Sequence, residues 1–303
     1  MPIKLEETMI KFYNRKTGEY EIEKVSAQRA IKWSYESPTG MGLLELIFKK
    51  RYFSRFIGWY FNRSISKKQI KKFIKVYNIN TNELIKSPEE FTCFNDFFIR
   101  GLKENAREVD YSPEAFISPC DSKVFAYENV SFDNLFEIKG FKYTIPELIN
   151  NTQITSEFIN SSCLIFRLSP TDYHRFHFVD NGTCEPTNKI LGDYYSVNPV
   201  ALKKVPGILC KNKREWSIFH SQNFEDMLYI EVGATFVGSI FQTYTPNSPV
   251  SRGDEKGYFK FGGSTIILII KSDKVKIDDD ILMQTMKGFE TKISYGEKIG
   301  LKR

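Results

Sequence analysis

Five consecutive isoleucine and leucine residues, 266–270, form the most strongly apolar run in the chain and limit what its C-terminal part can fold into. The run is far too short to cross a bilayer. Two glycines, a serine and a threonine (residues 262–265) precede it, and polar residues 271–273 follow it. A short apolar run bounded by turn-forming residues predicts a buried β-strand. We expect this strand to anchor the chain immediately after Gly263 and Ser264.

The pattern of the chain changes near residue 105. Before it, helical signals dominate: Ser66 and Gln69 form a capping-box pattern ahead of an apolar stripe, and Ser87-Pro88-Glu89-Glu90 offers a second helix start. After it, β-branched and aromatic runs alternate with turn residues, at 123–127, 163–168, 229–232, 236–244 and 265–271. We therefore predict an α+β fold in which a helical N-terminal region, residues 1–105, lies on a mostly β sandwich or barrel domain, residues 106–303.

Positive charge is concentrated in one part of the helical region. The chain carries a net charge of +6, and ten basic residues against the single acid Glu45 lie between residues 45 and 75. A basic block of this kind favours an anionic partner. Nucleic acid is not supported, because no recognised nucleic-acid-binding motif accompanies the charge.

A basic amphipathic helix is predicted within this block. Aromatic or apolar residues recur every four positions, with basic residues between them: Leu44, Phe48, Tyr52, Phe56 and Tyr60, and Lys49, Lys50, Arg51 and Arg55. Such a helix is typical of peripheral binding to an anionic membrane. A helix packed on the β domain with a solvated basic face explains the same pattern equally well.

The first 23 residues are rich in charge and contain no apolar core, so no signal peptide is expected. Five cysteines, odd in number and never spaced as CxxC, are typical of reduced thiols in a cytoplasmic protein. We expect any membrane contact to be peripheral and on the cytoplasmic side.

Three short motifs carry candidate chemistry. Gly263-Ser264 places a hydroxyl beside an accessible glycine carbonyl. His174 and His177 are two of the three histidines in the chain, and Asp121 lies in a turn ahead of a predicted strand. No metal site is predicted, because zinc would have to recruit scattered carboxylates. Each motif alone also fits a purely structural role, as a glycine turn, core histidines or a turn aspartate.

Together these motifs supply a nucleophile, a base and a carboxylate that could orient the base, in the order Asp121, His177, Ser264. This is the logic of a hydrolase triad. An ordinary serine hydrolase is poorly supported, because the GxSxG elbow is absent.

At this point the sequence resembles the phosphatidylserine decarboxylase family, and its clostridial-type bacterial members in particular. The resemblance rests on segments that occur in the family's order: 94–98 (FNDFF), 118–122 (SPCDS), 172–177 (DYHRFH), 196–199 (SVNP), 233–238, 253–261 (GDEKGYFKF), 263–265 (GST) and 296–297. The family has a glycine where this chain has Ser122. We expect a small local cost there, from a backbone that prefers positive φ.

The resemblance implies a self-processing enzyme of phospholipid biosynthesis. His177, oriented by Asp121, would take the proton of Ser264, and cleavage of the Gly263–Ser264 bond would turn Ser264 into a covalent pyruvoyl cofactor. The products would be a β chain, 1–263, and an α chain, 264–303, which stay together as a heterodimer; a homodimer of such heterodimers is left open. In turnover, the pyruvoyl ketone would take up the amine of phosphatidylserine, and His174 would assist decarboxylation or protonation. Phosphatidylethanolamine and CO2 would be released at the cell membrane.

Two alternatives remain at this point. One is a pyruvoyl decarboxylase for a different amino-acid head group or a soluble amino acid, against which the basic aromatic helix argues. The other is an inactive lipid-binding relative, against which the intact Gly263, Ser264, His177 and Asp121 argue.

Overall fold

In this computed structural model, strands are the main regular structure of the domain that follows residue 105. The structure describes residues 10–23, 33–130, 136–138, 141–158, 160–234, 240–262 and 264–303. Within these ranges the strands are β1 (Lys11–Asn14), β2 (Glu19–Ile22), β3 (Ala115–Ile117), β4 (Ser122–Val130), β5 (Phe136–Ile138), β6 (Phe141–Tyr143), β7 (Ser161–Leu168), β8 (Arg175–His177), β9 (Gly182–Cys184), β10 (Asn188–Ile190), β11 (Arg214–Ser221), β12 (Glu225–Gly233), β13 (Ile240–Gln242), β14 (Pro249–Val250), β15 (Glu255–Phe259), β16 (Ser264–Lys271), β17 (Val275–Ile277), β18 (Glu290–Ile293) and β19 (Lys298–Lys302).

Most helices are short. The α-helices are α1 (Pro38–Leu43), α2 (Arg51–Phe61), α3 (Lys68–Tyr77), α4 (Phe94–Phe98), α5 (Ile145–Ile149), α6 (Thr152–Thr155), α7 (Pro199–Leu202), α8 (Ile208–Lys211) and α9 (Asp279–Met286). A π-helical turn, Leu44–Phe48, follows α1, and 3-10 turns occupy Ser64–Lys67, Thr81–Glu83, Glu104–Ala106 and Ser156–Phe158.

The predicted strand after Ser264 is β16, and it lies in the middle of the largest sheet. The order of that sheet is β14-β9-β11-β12-β16-β7-β4-β18-β1-β2, with β10 paired to β11. Strand β16 pairs antiparallel with β12 and β7 along its whole length. Its seven residues from Ser264 to Ile270 are buried, because both faces of this strand are covered.

The two faces of the sheet pack against different layers. Since side chains alternate along a strand, Ile266, Leu268 and Ile270 face one core, and Ile267 and Ile269 face the other. The first core is closed by the small sheets and α9, through Phe116, Ile117, Phe176, Phe259, Ile277, Ile281 and Ile299. The second core is closed by short helices, through Ile145, Leu148, Ile149, Ala201, Leu202, Ile208 and Leu209.

The predicted α+β class is confirmed, but the large sheet does not close into a barrel. In the part of the chain that the structure describes, β14 and β2 are the free ends of the sheet. The first part of the predicted helical region also differs, because β1 and β2 form a hairpin and β1 pairs in parallel with β18.

The helix predicted after Ser66 is present as α3, but its predicted capping box is wrong. The Ser66 hydroxyl donates to the carbonyls of Phe61 and Arg63 and accepts from the backbone N–H of Phe94. It therefore joins three segments instead of capping α3. The segment from Ser87 to Glu90 is a turn, and the helix that follows it begins later, capped by the Cys93 thiol.

The single basic helix predicted over residues 44–60 is also wrong, because it is interrupted. The π-helical turn ends at Phe48, and Lys50 adopts an extended backbone before α2 begins. Leu44 is buried in the second core. Lys49 forms ion pairs with Glu45 and Asp193, so its charge is already neutralised within the protein. The exposed aromatic face is confined to α2.

Candidate active site

Ser264 is the first residue of β16, held between Gly233 of β12 and Leu168 of β7. Its side chain is fully buried. The Oγ atom lies 3.5 Å from Nδ1 of His174, which is likewise fully buried. Gly263 lies outside the described residues. The sheet therefore presents the serine hydroxyl to an imidazole in a site shielded from water.

The contacts of His174 determine which ring nitrogen carries the proton and which has a lone pair. Nε2 lies 2.9 Å from the carbonyl oxygen of Ser169, and a carbonyl can only accept, so Nε2 carries the proton. Nδ1 then offers a lone pair to the Ser264 hydroxyl. Burial lowers the pKa of His174 to about 3, with Arg100 and Lys123 acting in the same direction and Asp172 opposing them. His174 is accordingly neutral at physiological pH and able to accept a proton.

The predicted base, His177, has the opposite tautomer. Its Nδ1 lies 3.4 Å from the carbonyl of Pro119 and donates to it, which leaves Nε2 as the acceptor. The ring stacks on Tyr295, with centroids 3.8 Å apart and planes 19° from parallel. Burial lowers the pKa of His177 to about 3 as well, and nearby Arg175 adds to the effect. Both histidines are thus proton acceptors.

The predicted orienting carboxylate, Asp121, is held by an arginine. Arg107 donates to both carboxylate oxygens, with its closest contact at 2.6 Å, and the backbone N–H of Tyr295 donates at 2.8 Å. Arg107 comes from the segment after the helical region and also pairs with Glu83. The Asp121 side chain retains little exposure, so its charge is compensated mainly by this arginine.

The structure thus brings Ser264 and His174 into contact, and it links His177 to Asp121 through Tyr295. Across the described ranges no direct hydrogen bond joins His177 to Asp121 or to Ser264. The same ranges contain no group of three His, Cys, Asp or Glu side chains that could hold a metal ion.

An aromatic cluster from the helical region forms one wall of the site, and the sequence assigned it no role. Phe98 of α4 stacks on His174 with centroids 4.1 Å apart. Phe261, two residues before Gly263, packs against Phe61, Phe94 and Phe98. The backbone N–H of Phe261 donates to the buried Asn95 side chain. The FNDFF segment that carried part of the family resemblance therefore contacts both Phe261 and His174.

Ser122, which replaces the family glycine, begins β4 with ordinary strand geometry. It is absent from the described non-glycine residues with positive φ, so the expected backbone cost does not arise.

The fold and site define a class of protein with a buried serine at the start of a central strand, a neutral buried histidine in contact with that serine, and a second neutral buried histidine three residues further along the chain. None of the helices described is long and apolar enough to cross a membrane. Comparisons with known proteins give the family. The model of the phosphatidylserine decarboxylase family matches residues 94–301.

Three curated relatives, each described as a phosphatidylserine decarboxylase proenzyme, match almost the whole chain. The protein of Clostridium kluyveri is 55% identical over 97% of this chain and 99% of its own length. Those of Desulfitobacterium hafniense and Clostridium botulinum are 54% and 53% identical over 97% of this chain and 99% and 100% of theirs. The chain belongs to the phosphatidylserine decarboxylase family, as its motifs predicted.

Proposed function

We propose that this chain is a phosphatidylserine decarboxylase proenzyme that cleaves itself between Gly263 and Ser264 and then converts phosphatidylserine to phosphatidylethanolamine and CO2. The observation that carries the proposal is the buried Ser264 hydroxyl, 3.5 Å from an imidazole nitrogen with a free lone pair. Membership of the family, whose relatives are described as proenzymes, supports self-cleavage.

Maturation needs the Ser264 hydroxyl to lose its proton as Oγ bonds to the Gly263 carbonyl carbon. The peptide C–N bond then breaks, leaving an ester and a free amine on residue 264. Loss of the α-proton and of the ester oxygen leaves a carboxylate on residue 263 and a dehydroalanine, which water converts to a ketone with release of ammonia. We assign the first proton transfer to His177, supported by Asp121, as the resemblance to the family implies.

The residues around Ser264 fit a pyruvoyl group made from it. The Ser264 and His174 side chains are shielded from bulk solvent, and Phe98 stacks on His174. When present, the group supplies a ketone conjugated to a carbonyl, which draws electrons from the bond to the departing carboxylate. His174 lies beside the atoms from which that group is made, so we assign it the proton transfer to the substrate carbon during turnover.

We also propose that the two chains remain associated after cleavage. The segment 264–303 supplies β16 at the centre of the large sheet, β18 between β4 and β1, and β19 beside β3. Removing it would expose both cores, because β16 contributes residues to each.

We propose that α2 docks the enzyme on the cytoplasmic surface of an anionic membrane. Tyr52, Phe56 and Trp59, here called the docking face, lie at the i, i+4 and i+7 positions of α2 and are 82%, 61% and 53% exposed. Arg55 is exposed beside them, and the Arg63 guanidinium lies 4.9 Å from the Trp59 ring centroid. Exposed aromatics flanked by arginines match the chemistry of an anionic interface.

Intact-mass measurement of the purified protein, together with an assay on phosphatidylserine vesicles and on free serine, tests the proposal. We expect two chains divided at residue 263, with the smaller one blocked at its N-terminus, and CO2 release from the lipid but not from serine. A single unprocessed chain with no activity would support the inactive lipid-binding alternative. Activity on free serine alone would support the soluble-substrate alternative.

A further inference from the structure

Tyr295 contacts two members of the predicted triad, His177 and Asp121. Its ring stacks on His177 with centroids 3.8 Å apart, and its backbone N–H donates to Asp121 at 2.8 Å. Its hydroxyl donates to the carbonyl of Gly253 at 2.8 Å, which lies in the segment that leads into β15. Two of these contacts therefore join Tyr295 to side chains assigned to maturation, and the third holds its hydroxyl in place.

Tyr295 and the two residues that it contacts lie on opposite sides of the proposed cleavage site. Tyr295 follows β18, on the C-terminal side of the cleavage site, whereas His177 and Asp121 lie before it. The α chain that carries Ser264 would therefore also carry the residue that holds the base and the carboxylate.

We propose that Tyr295 is a positioning residue for maturation, which sets the His177 imidazole by stacking and the Asp121 carboxylate through its backbone N–H. This inference rests on the proposed function. The side chain and the backbone act separately, so replacing the side chain should disturb His177 while the bond to Asp121 persists.

The surroundings of His177 indicate that losing the Tyr295 ring should change how the cleavage rate depends on pH. Tyr295 and Tyr173 pack on its ring, Arg175 lies on its own strand, and Glu255 pairs opposite it in β15 and is held by Arg175. Burial is the main cause that lowers the pKa of His177 to about 3. Without the Tyr295 ring, water reaches the imidazole and its pKa moves up toward 6.5, the ordinary value.

The test compares Tyr295→Leu, Tyr295→Phe and Tyr295→Trp with a Tyr111→Leu control, which removes a 71% exposed tyrosine from the same region. Chain cleavage is followed by mass as a function of pH from 4.5 to 8. We expect Leu to slow cleavage about tenfold at pH 7 and to add a fall in rate below about pH 6.5, where the imidazole becomes protonated. Tyr295→Phe and Tyr295→Trp should be cleaved at a rate within about threefold of the parent rate, with no fall in rate below pH 6.5. Tyr111→Leu should be cleaved at the parent rate.

Two results would overturn the proposal. Cleavage of Tyr295→Leu at the parent rate with the parent pH profile would show that the stacking is unnecessary. A rate loss that is equal in Leu, Phe and Trp, with no change in pH profile, would show a general structural role instead. Circular dichroism detects a loss of folding in Tyr295→Leu. In that case the cleavage rates and pH profiles of Tyr295→Phe and Tyr295→Trp, compared with the parent, decide whether the proposal holds. If Ser264→Ala were still cleaved, the proposed function itself would fail, whatever Tyr295 does.

Discussion

The Oγ atom of Ser264 and Nδ1 of His174 lie 3.5 Å apart, and neither side chain is exposed to solvent. Because Nε2 of His174 donates its hydrogen bond to the Ser169 carbonyl, Nδ1, the nitrogen that faces the serine, is the one with the lone pair. The family resemblance implies that His177 is the base for cleavage, whereas this contact brings His174 against the reacting residue.

Replacing Ser264 with alanine removes the only nucleophile that the proposal allows. We expect Ser264→Ala to remain a single chain of 303 residues and to show no decarboxylation. The exposed Ser251, in the turn that precedes β15, provides a control, and Ser251→Ala should process normally. Intact mass distinguishes the two variants. Two chains divided at residue 263 in Ser264→Ala would contradict the mechanism.

Single alanine substitutions should divide the roles of the two histidines. We expect His177→Ala to stay uncleaved, because the serine lacks its base, and His174→Ala to process at least partly yet decarboxylate more than tenfold more slowly. Cleavage is measured by mass, and turnover is measured per processed chain. If His174→Ala stayed whole and His177→Ala were cleaved, the contact with Ser264 would identify the base and the roles would exchange.

The same histidines should make stability depend on pH. In the unfolded chain they take up protons below about pH 6.5, whereas in the folded protein burial lowers the pKa of each to about 3. The stability they contribute is therefore fully present above pH 6.5 and is lost as pH falls from there toward 3, by at most about 1.4 kcal/mol per pH unit for each histidine.

Urea unfolding in a Ser264→Ala background checks this expectation without interference from cleavage. Between pH 7 and pH 5, His177→Phe should lose about 2 kcal/mol less stability than the background. His220 is half-exposed between Asp226 and Glu185, and these carboxylates raise its pKa although burial opposes them. His220→Phe should therefore change the pH dependence in the opposite direction. Parallel curves for all three proteins would rule out the burial argument.

Much of the fold could be predicted because it depends on local pattern. The apolar run after Ser264 is the central strand β16, and the β-rich segments 123–127 and 163–168 lie within β4 and β7. The hairpin β1–β2 was missed because its strands have four residues each, and β1 gains its place in the large sheet from β18, far away in sequence. Long-range pairing of this kind overrides local propensity.

The site was predictable as a set of residues but not as a geometry. His177 is the last residue of β8, whereas His174 lies just before that strand, and the two rings have different partners. Of the two, only His174 contacts Ser264. The bidentate contact of Arg107 with Asp121 joins two turns, and no spacing rule predicts it. The interruption at Lys50 was hidden for a related reason, since the burial of Leu44 and the ion pair of Lys49 with Asp193 are tertiary contacts.

The Arg107–Asp121 pair should be strongly coupled in stability. Both side chains are largely buried, so removing either partner leaves a charge poorly compensated. In the Ser264→Ala background we expect Arg107→Gln and Asp121→Asn each to lower the free energy of unfolding by about 2 kcal/mol, and the double variant to lose clearly less than the sum. Urea unfolding of the four proteins measures the coupling. Strictly additive losses would show that the pair contributes nothing beyond its separate contacts.

The last prediction concerns the docking face of α2. Each basic residue near an anionic surface contributes about 1 kcal/mol to binding. The double variant Arg55→Glu with Arg63→Glu should therefore bind phosphatidylglycerol vesicles at least tenfold more weakly than the parent at low salt, as measured by sedimentation. High salt screens the charges and should reduce this difference in affinity between variant and parent. Lys189→Glu with Lys287→Glu makes the same change of charge at exposed positions outside α2 and should bind like the parent. Turnover of detergent-dispersed phosphatidylserine should change little in either variant, because Ser264 and His174 are untouched. Equal vesicle binding by the two variants would contradict membrane docking and would support the alternative, in which α2 is a packed helix with a solvated basic face.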